Sequence, residues 1–198
     1  MNFNLNRRGA PGSGCQASTF CKIMNAPSAE DLSARIFDAF AGVRLDGGVS
    51  LIEAEFADDY DVAPDHLIAL EEKDDWTKII NDRLCDFTVT FCFTDYRGFR
   101  FYIAPYMIWI LRNYRTSASI ITDFTIYAIE TDRNAFTEHP FSEVFTIEQI
   151  KCMRDFLLFT CENEERFDAD VARKNLIRLH QAFPEIEEAE QDVHGNTH

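Results

Sequence analysis

From Phe87 the chain alternates strictly, with Phe87, Val89, Phe91 and Phe93 interleaved with Thr88, Thr90, Cys92 and Thr94. Aromatic and β-branched residues at a period of two are the pattern of a half-buried strand. The next run repeats it, Phe99, Phe101 and Ile103 against Arg100, Tyr102 and Ala104, after the turn-like tetrad Asp95-Tyr96-Arg97-Gly98. The spacing predicts an antiparallel β-hairpin whose Phe99, Phe101 and Ile103 face inward, with Gly98 supplying a positive φ in the loop. Pro105 then reads as the first residue of a short, central helix, YMIWILRNY.

Helical spacing dominates elsewhere. Ser28 followed by Asp31 resembles a capping box ahead of Leu32, Ile36, Phe37, Phe40 and Val43, which predicts a helix over 29–42. Ser50 with Glu53 opens a second helix after the Gly47-Gly48 break, and Asp65 and Asp75 are expected N-caps of two further pieces. Residues 117–129 read as helical. Thr146 with Gln149, and then Asp168, start two more helices, the last carrying Ala172, Leu176, Leu179 and Phe183 on one side. The fold class expected is therefore α+β and mainly helical, with about six helices around one small antiparallel hairpin or sheet.

Three regions follow from composition along the chain. Residues 1–26, rich in Gly, Ser, Asn and Pro, read as a disordered leader, residues 27–183 as a single globular domain, and residues 184–198 as an acidic disordered tail. Eighteen phenylalanines in 198 residues point to an aromatic core, each buried ring contributing roughly 1.5–3 kcal/mol. The six cysteines have no C-x-x-C spacing and read as reduced thiols of a cytoplasmic protein. No apolar run is long enough to span a bilayer, so no membrane partner is expected.

The segment RGFRFYIA (97–104) comes near the RNA-recognition consensus, which makes a nucleic-acid platform the reading to test. In that motif the residues between the exposed aromatics must fill the core, and here they are Arg100, Tyr102 and Ala104. The parity is wrong, and a net charge of −15 repels phosphate, so no nucleic-acid partner is expected. Arg97 and Arg100 are expected to pair with the chain's own carboxylates.

No other stretch carries a chemical signature. Asp59, Asp61 and Asp65 suggest a calcium loop, but Pro64 stands where the sharp-turn glycine belongs. The histidines form no H-E-x-x-H pair, and neither a P-loop nor a G-x-S-x-G elbow is present, so neither metal nor cofactor is expected. Cys85 and Cys92 are the residues around which an unfamiliar hydrolase or transferase site would be sought.

Charge is the feature that points to function. Residues 31–75 hold thirteen acids and three bases, whereas 76–115 hold three acids and six bases. Within the acidic stretch, Glu55, Asp58, Asp59, Tyr60, Asp61, Asp65, Glu71, Glu72, Asp74 and Asp75 form a candidate binding face, carboxylates around aromatic anchors, suited to a basic protein partner.

Three blocks, DDWTKIINDRL (74–84), GFRFYIAPYMIWIL (98–111) and FTIEQIKCMRDFLLF (145–159), together resemble an uncharacterised bacterial family, a domain of unknown function with a G-F-R-F-Y…P-x-Y-M core block and a T-x-E-Q…F-L-x-F helix. This chain departs from it in having Ala104 before Pro105 rather than after. The resemblance implies a small bacterial cytosolic protein and transfers no catalytic or ligand residue. Charge layout and the lack of catalytic motifs lead to the expectation of a non-enzymatic binding protein, an immunity-type protein neutralising a basic, nuclease-like toxin. The alternatives are a housekeeping or regulatory interaction module and the enzyme near Cys85 and Cys92.

Overall fold

The computed structural model of the chain describes residues 26–188. Most of the expected leader, residues 1–25, and the tail from 189 lie outside the described residues. The elements are α1 (Ala29–Ala39), α2 (Leu51–Asp58), α3 (Asp65–Ile68), two 3₁₀ turns (Trp76–Ile79 and Asp82–Asp86), α4 (Thr90–Phe93), α5 (Tyr96–Asn113), α6 (Ile121–Ala128), a third 3₁₀ turn (Asn134–Phe136), α7 (Phe141–Val144), α8 (Ile147–Glu162), α9 (Ala169–Ala182) and α10 (Glu185–Glu188). Among the described residues no β-strand occurs. The α+β expectation and its hairpin are therefore wrong, and the described fold is all-α.

The reason is visible in the burial of the two supposed strands. In the first, Phe87, Thr90, Phe91 and Thr94 are the buried positions, while Cys92 and Phe93 are exposed. That is the i, i+3, i+4, i+7 pattern of a helical turn, not a period of two. Thr90 goes inside because Tyr106 and the Phe87 carbonyl satisfy its hydroxyl, at 2.8 and 3.0 Å. Tertiary partners thus reverse the preference that alternation expressed.

The second supposed strand is the first half of α5. Asp95, read as part of a turn, is its N-cap and accepts from the Gly98 N–H at 2.9 Å. Every residue from Phe101 to Leu111 is buried, so this helix runs through the middle of the molecule and shows no polar face. A helix apolar all round cannot be told from a strand by alternation. Pro105 lies inside it, where it removes one intrahelical bond at a cost of about 3 kcal/mol that the packing of the surrounding side chains must exceed.

The capping signals held. Ser50 and Glu53 cap α2 reciprocally, Thr146 and Gln149 do the same for α8, Ser28 accepts from the Asp31 N–H, and Asp168 accepts from the Val171 N–H. Asp75 caps the 3₁₀ turn through Thr77, whereas Pro64, not Asp65, precedes α3.

Helix α8 packs against both α9 and α1, and α1 also lies against α5. Arg154 of α8 is buried, donating to Asp155 at 2.7 Å and to the Ile186 carbonyl at 2.7 Å, and Asp155 also receives Arg35 of α1. Ile186 is fully buried in the short helix α10, at positions where composition placed the start of an acidic tail. Trp76 donates its indole N–H to the Phe40 carbonyl at 2.8 Å, fastening the acidic segment to α1.

Arg97 and Arg100 turn back on the loop after α1. Arg100 pairs with Asp46 at 3.2 Å, and Arg97 donates to the Asp46 carbonyl at 3.2 Å while lying over the Tyr96 ring.

Candidate functional site

Structure divides the acidic segment into two halves. In the first, α2 ends at Asp58 and its last carbonyls are closed by two reversed bonds, Tyr60 N–H to Ala57 at 3.1 Å and Asp61 N–H to Phe56 at 2.9 Å. This is a Schellman end, whose left-handed position is normally glycine. Here Tyr60 occupies it at φ 57°, and its side chain is 100% exposed. An L-residue in that conformation costs roughly 1–2 kcal/mol, which a solvated ring cannot return by packing.

Around Tyr60 stand Asp58, Asp59, Asp61 and Asp65, all exposed, and among the described residues none of the four forms an ion pair with a cation. Val62 and Leu70, in the same segment, are 84% and 79% exposed. These two apolar residues escaped the sequence reading, because an aliphatic side chain is read as core unless the backbone turns it outward. Phe56 and Leu67 are half-buried. Glu55 is also half-buried, with a buried Oε2 that finds no hydrogen-bond partner among the described residues.

Carboxylates of the second half are held by the protein's own cations. Glu71, whose side chain is 4% exposed, accepts from Arg83 at 3.1 Å and from the Ile52 N–H at the start of α2. Asp74 pairs with Arg44. Glu72 accepts from the Asp74 and Asp75 N–H groups, which hold its carboxyl below the usual range, and Lys78 bridges Glu72 and Asp75 at 3.4 and 3.6 Å. The Thr77 hydroxyl lowers Asp75 in the same way, and the Glu72 charge raises Lys78. Sequence order alone makes all ten positions look equivalent; only contacts separate them.

Cys92 is exposed and lines a cavity of about 600 Å³ with Val49, Phe91, Asp95, Asp132 and Arg133, and Cys85 is half-buried. No histidine is among the residues lining that cavity. Cys152 is a core thiol that burial pushes up to about 12. Among the described residues no group of three His, Cys, Asp or Glu could hold a metal ion, and no helix is long and apolar enough to cross a membrane.

The model of a family of unknown function, DUF6714, matches residues 28–182, which is most of the chain. No curated protein and no solved structure matches. The chain therefore belongs to the DUF6714 family.

Proposed function

We propose that this member of a family of unknown function is a non-enzymatic binding protein of the immunity type, which neutralises a basic, nuclease-like bacterial toxin by docking the face around Tyr60. The observation that carries this reading is Tyr60 itself, a fully exposed aromatic held at φ 57° amid four uncompensated aspartates. Backbone strain with no return in the folded chain is characteristic of sites selected for contact with something else. An exposed aromatic set between Asp59 and Asp61, with exposed Val62 in the same loop, suits a basic surface with an apolar centre.

The candidate face is then Asp58, Asp59, Tyr60, Asp61 and Asp65, with Val62. Glu71 ties its segment to the start of α2 through the Ile52 N–H, and Glu72, Asp74 and Asp75 are held by the chain's own cations. Affinity capture with the tagged full chain from its own host, followed by mass spectrometry, tests the reading. A basic nuclease retained by the native chain and lost by D58K/D59K/D61K is the expected result. Retention unaffected by the triple reversal in a folded variant overturns the docking face, and a basic partner without toxicity assigns the chain to a regulatory interaction module instead.

A further inference from the structure

The cavity of about 600 Å³ beside Cys92 lies where the end of α4, the start of α5 and the loop after α6 meet. At roughly 30 Å³ per water-sized group it has room for about twenty of them, enough for an organic molecule rather than a lone ion. Its wall is unequal in charge, with the carboxylates of Asp95, Glu130 and Asp132 against the guanidinium of Arg133. Arg133 turns its donors to the Phe91 and Tyr127 carbonyls, at 2.6 and 3.3 Å. Arg178, from outside the wall, pairs with Glu130 and stands 4.0 Å from Asp132. Both N–H groups that Asp95 accepts, from Val49 and Gly98, fall on Oδ1, which leaves Oδ2 without a bond among the described residues.

Thr94 is the informative residue. It lines the cavity and is 6% exposed, yet its hydroxyl oxygen is buried with no hydrogen-bond partner among the described residues. A buried hydroxyl normally has one. Thr90, four residues earlier, shows the contrast, since Tyr106 and the Phe87 carbonyl satisfy its hydroxyl. The methyl branch of Thr94 packs toward Gly98, where a Cβ would stand 3.1 Å from Cγ2, so packing accounts for the methyl and leaves the hydroxyl unused. Phe93, 38% exposed on the same wall, adds an aromatic ring that the core does not cover.

We propose that this cavity binds a primary alkylammonium ion. Its three N–H donors match in number the acceptors left open in the wall, Asp95 Oδ2, the Thr94 hydroxyl and the Asp132 carboxylate. Its hydrocarbon body lies against Val49 and Phe91, and the Phe93 ring attracts the cation. The excess of carboxylate selects a cation, the apolar wall selects one with an organic body, and the −15 charge of the chain raises its local concentration. No residue of the Tyr60 face lines this cavity, so the inference does not rest on that reading.

The test is a calorimetric titration of the full chain with butylamine at constant ionic strength, with butanol and butyrate as neutral and anionic controls. Butylamine is expected to bind with saturation and to slow the alkylation of Cys92, read by peptide mass spectrometry, because Cys92 lines the same cavity. T94V removes an unpartnered hydroxyl, so it is expected to keep the native Tm or raise it while binding weakens about tenfold. D132N, at a side chain 74% exposed, is expected to weaken binding similarly and reports on the site even where T94V folds poorly. D58K/D59K/D61K should bind butylamine as the native chain does, which separates the cavity from the acidic surface. Absence of saturable binding, equal binding of butanol, binding unchanged in both T94V and D132N, or its loss in the triple reversal overturns the proposal.

Discussion

Gly98 and Val49 meet backbone to backbone: a Cβ built on Gly98 would lie 2.5 Å from the Val49 carbonyl oxygen and 3.0 Å from Thr94 Cβ. Asp95 completes the joint by accepting from both Val49 and Gly98 N–H groups, at 3.0 and 2.9 Å. The loop after α1 is thereby locked to the start of α5. G98A is expected to destabilise the fold by about 2 kcal/mol, because a backbone oxygen cannot move aside as a flexible side chain can. Calorimetry should show Tm lowered by about 4–8 °C, and an unchanged Tm would mean that the joint opens in solution.

Y60G separates stability from binding. Glycine accepts the left-handed position at the end of α2 without strain, so the variant is expected to be as stable as the native chain or about 1 kcal/mol more stable. Partner affinity should fall at least tenfold, as for loss of an aromatic anchor. Surface plasmon resonance against the captured partner, beside a denaturant titration, reads both quantities, and native affinity in Y60G removes Tyr60 from the interface.

The Glu72, Asp75 and Lys78 cluster has a definite pH window. Glu72 and Asp75 are lowered in the folded chain, so their contribution is complete above the ordinary carboxylate range and fades as pH falls through the lowered values. Lys78 is raised, so its contribution is complete below the ordinary lysine value and fades as pH rises through the raised one. NMR shifts of the Asp74 and Asp75 amides should hold steady at neutral pH and change together below about pH 4. In E72Q the acid step should shrink at both amides.

Asp123 behaves in the opposite sense. Burial and then the neighbouring Asp168 carboxylate raise its folded-state value, so its charged form weakens the fold at neutral pH and the penalty vanishes below the ordinary carboxylate range. D123N keeps an oxygen that can accept while removing the charge. It is expected to raise Tm at pH 7 by about 1 °C, a few tenths of a kcal/mol after solvent screening. The gain should be gone at pH 3, and a gain that persists there would place its origin in something other than charge.

Local signals were legible where their chemistry is local. Ser50 with Glu53 and Thr146 with Gln149 mark helix starts because the bonds they make reach only three residues along the chain. Asp95 carried the same signal, but the glycine three residues on suggested a turn. Phe87 to Ile103 misled because hydrophobic alternation describes which residues are apolar, not what surrounds them. Once Thr90 finds Tyr106 and Phe87 as partners, it is buried and Phe93 is left outside. In the candidate site the composition of the acidic face was legible, whereas the pairing of Glu71 with Arg83 and Asp74 with Arg44 was not, since it joins residues twelve and thirty positions apart.

By itself, the sequence determined the aromatic core, the main helix starts and the acidic bias, since each depends on residue type and short-range spacing. Tertiary structure alone decided that the central segment is a helix surrounded on every side, because only neighbours from elsewhere in the chain can supply apolar cover all round. It also decided which aspartates remain uncompensated and that Tyr60 stands in solvent at φ 57°, since these depend on where distant cations fall and how α2 is brought to its end.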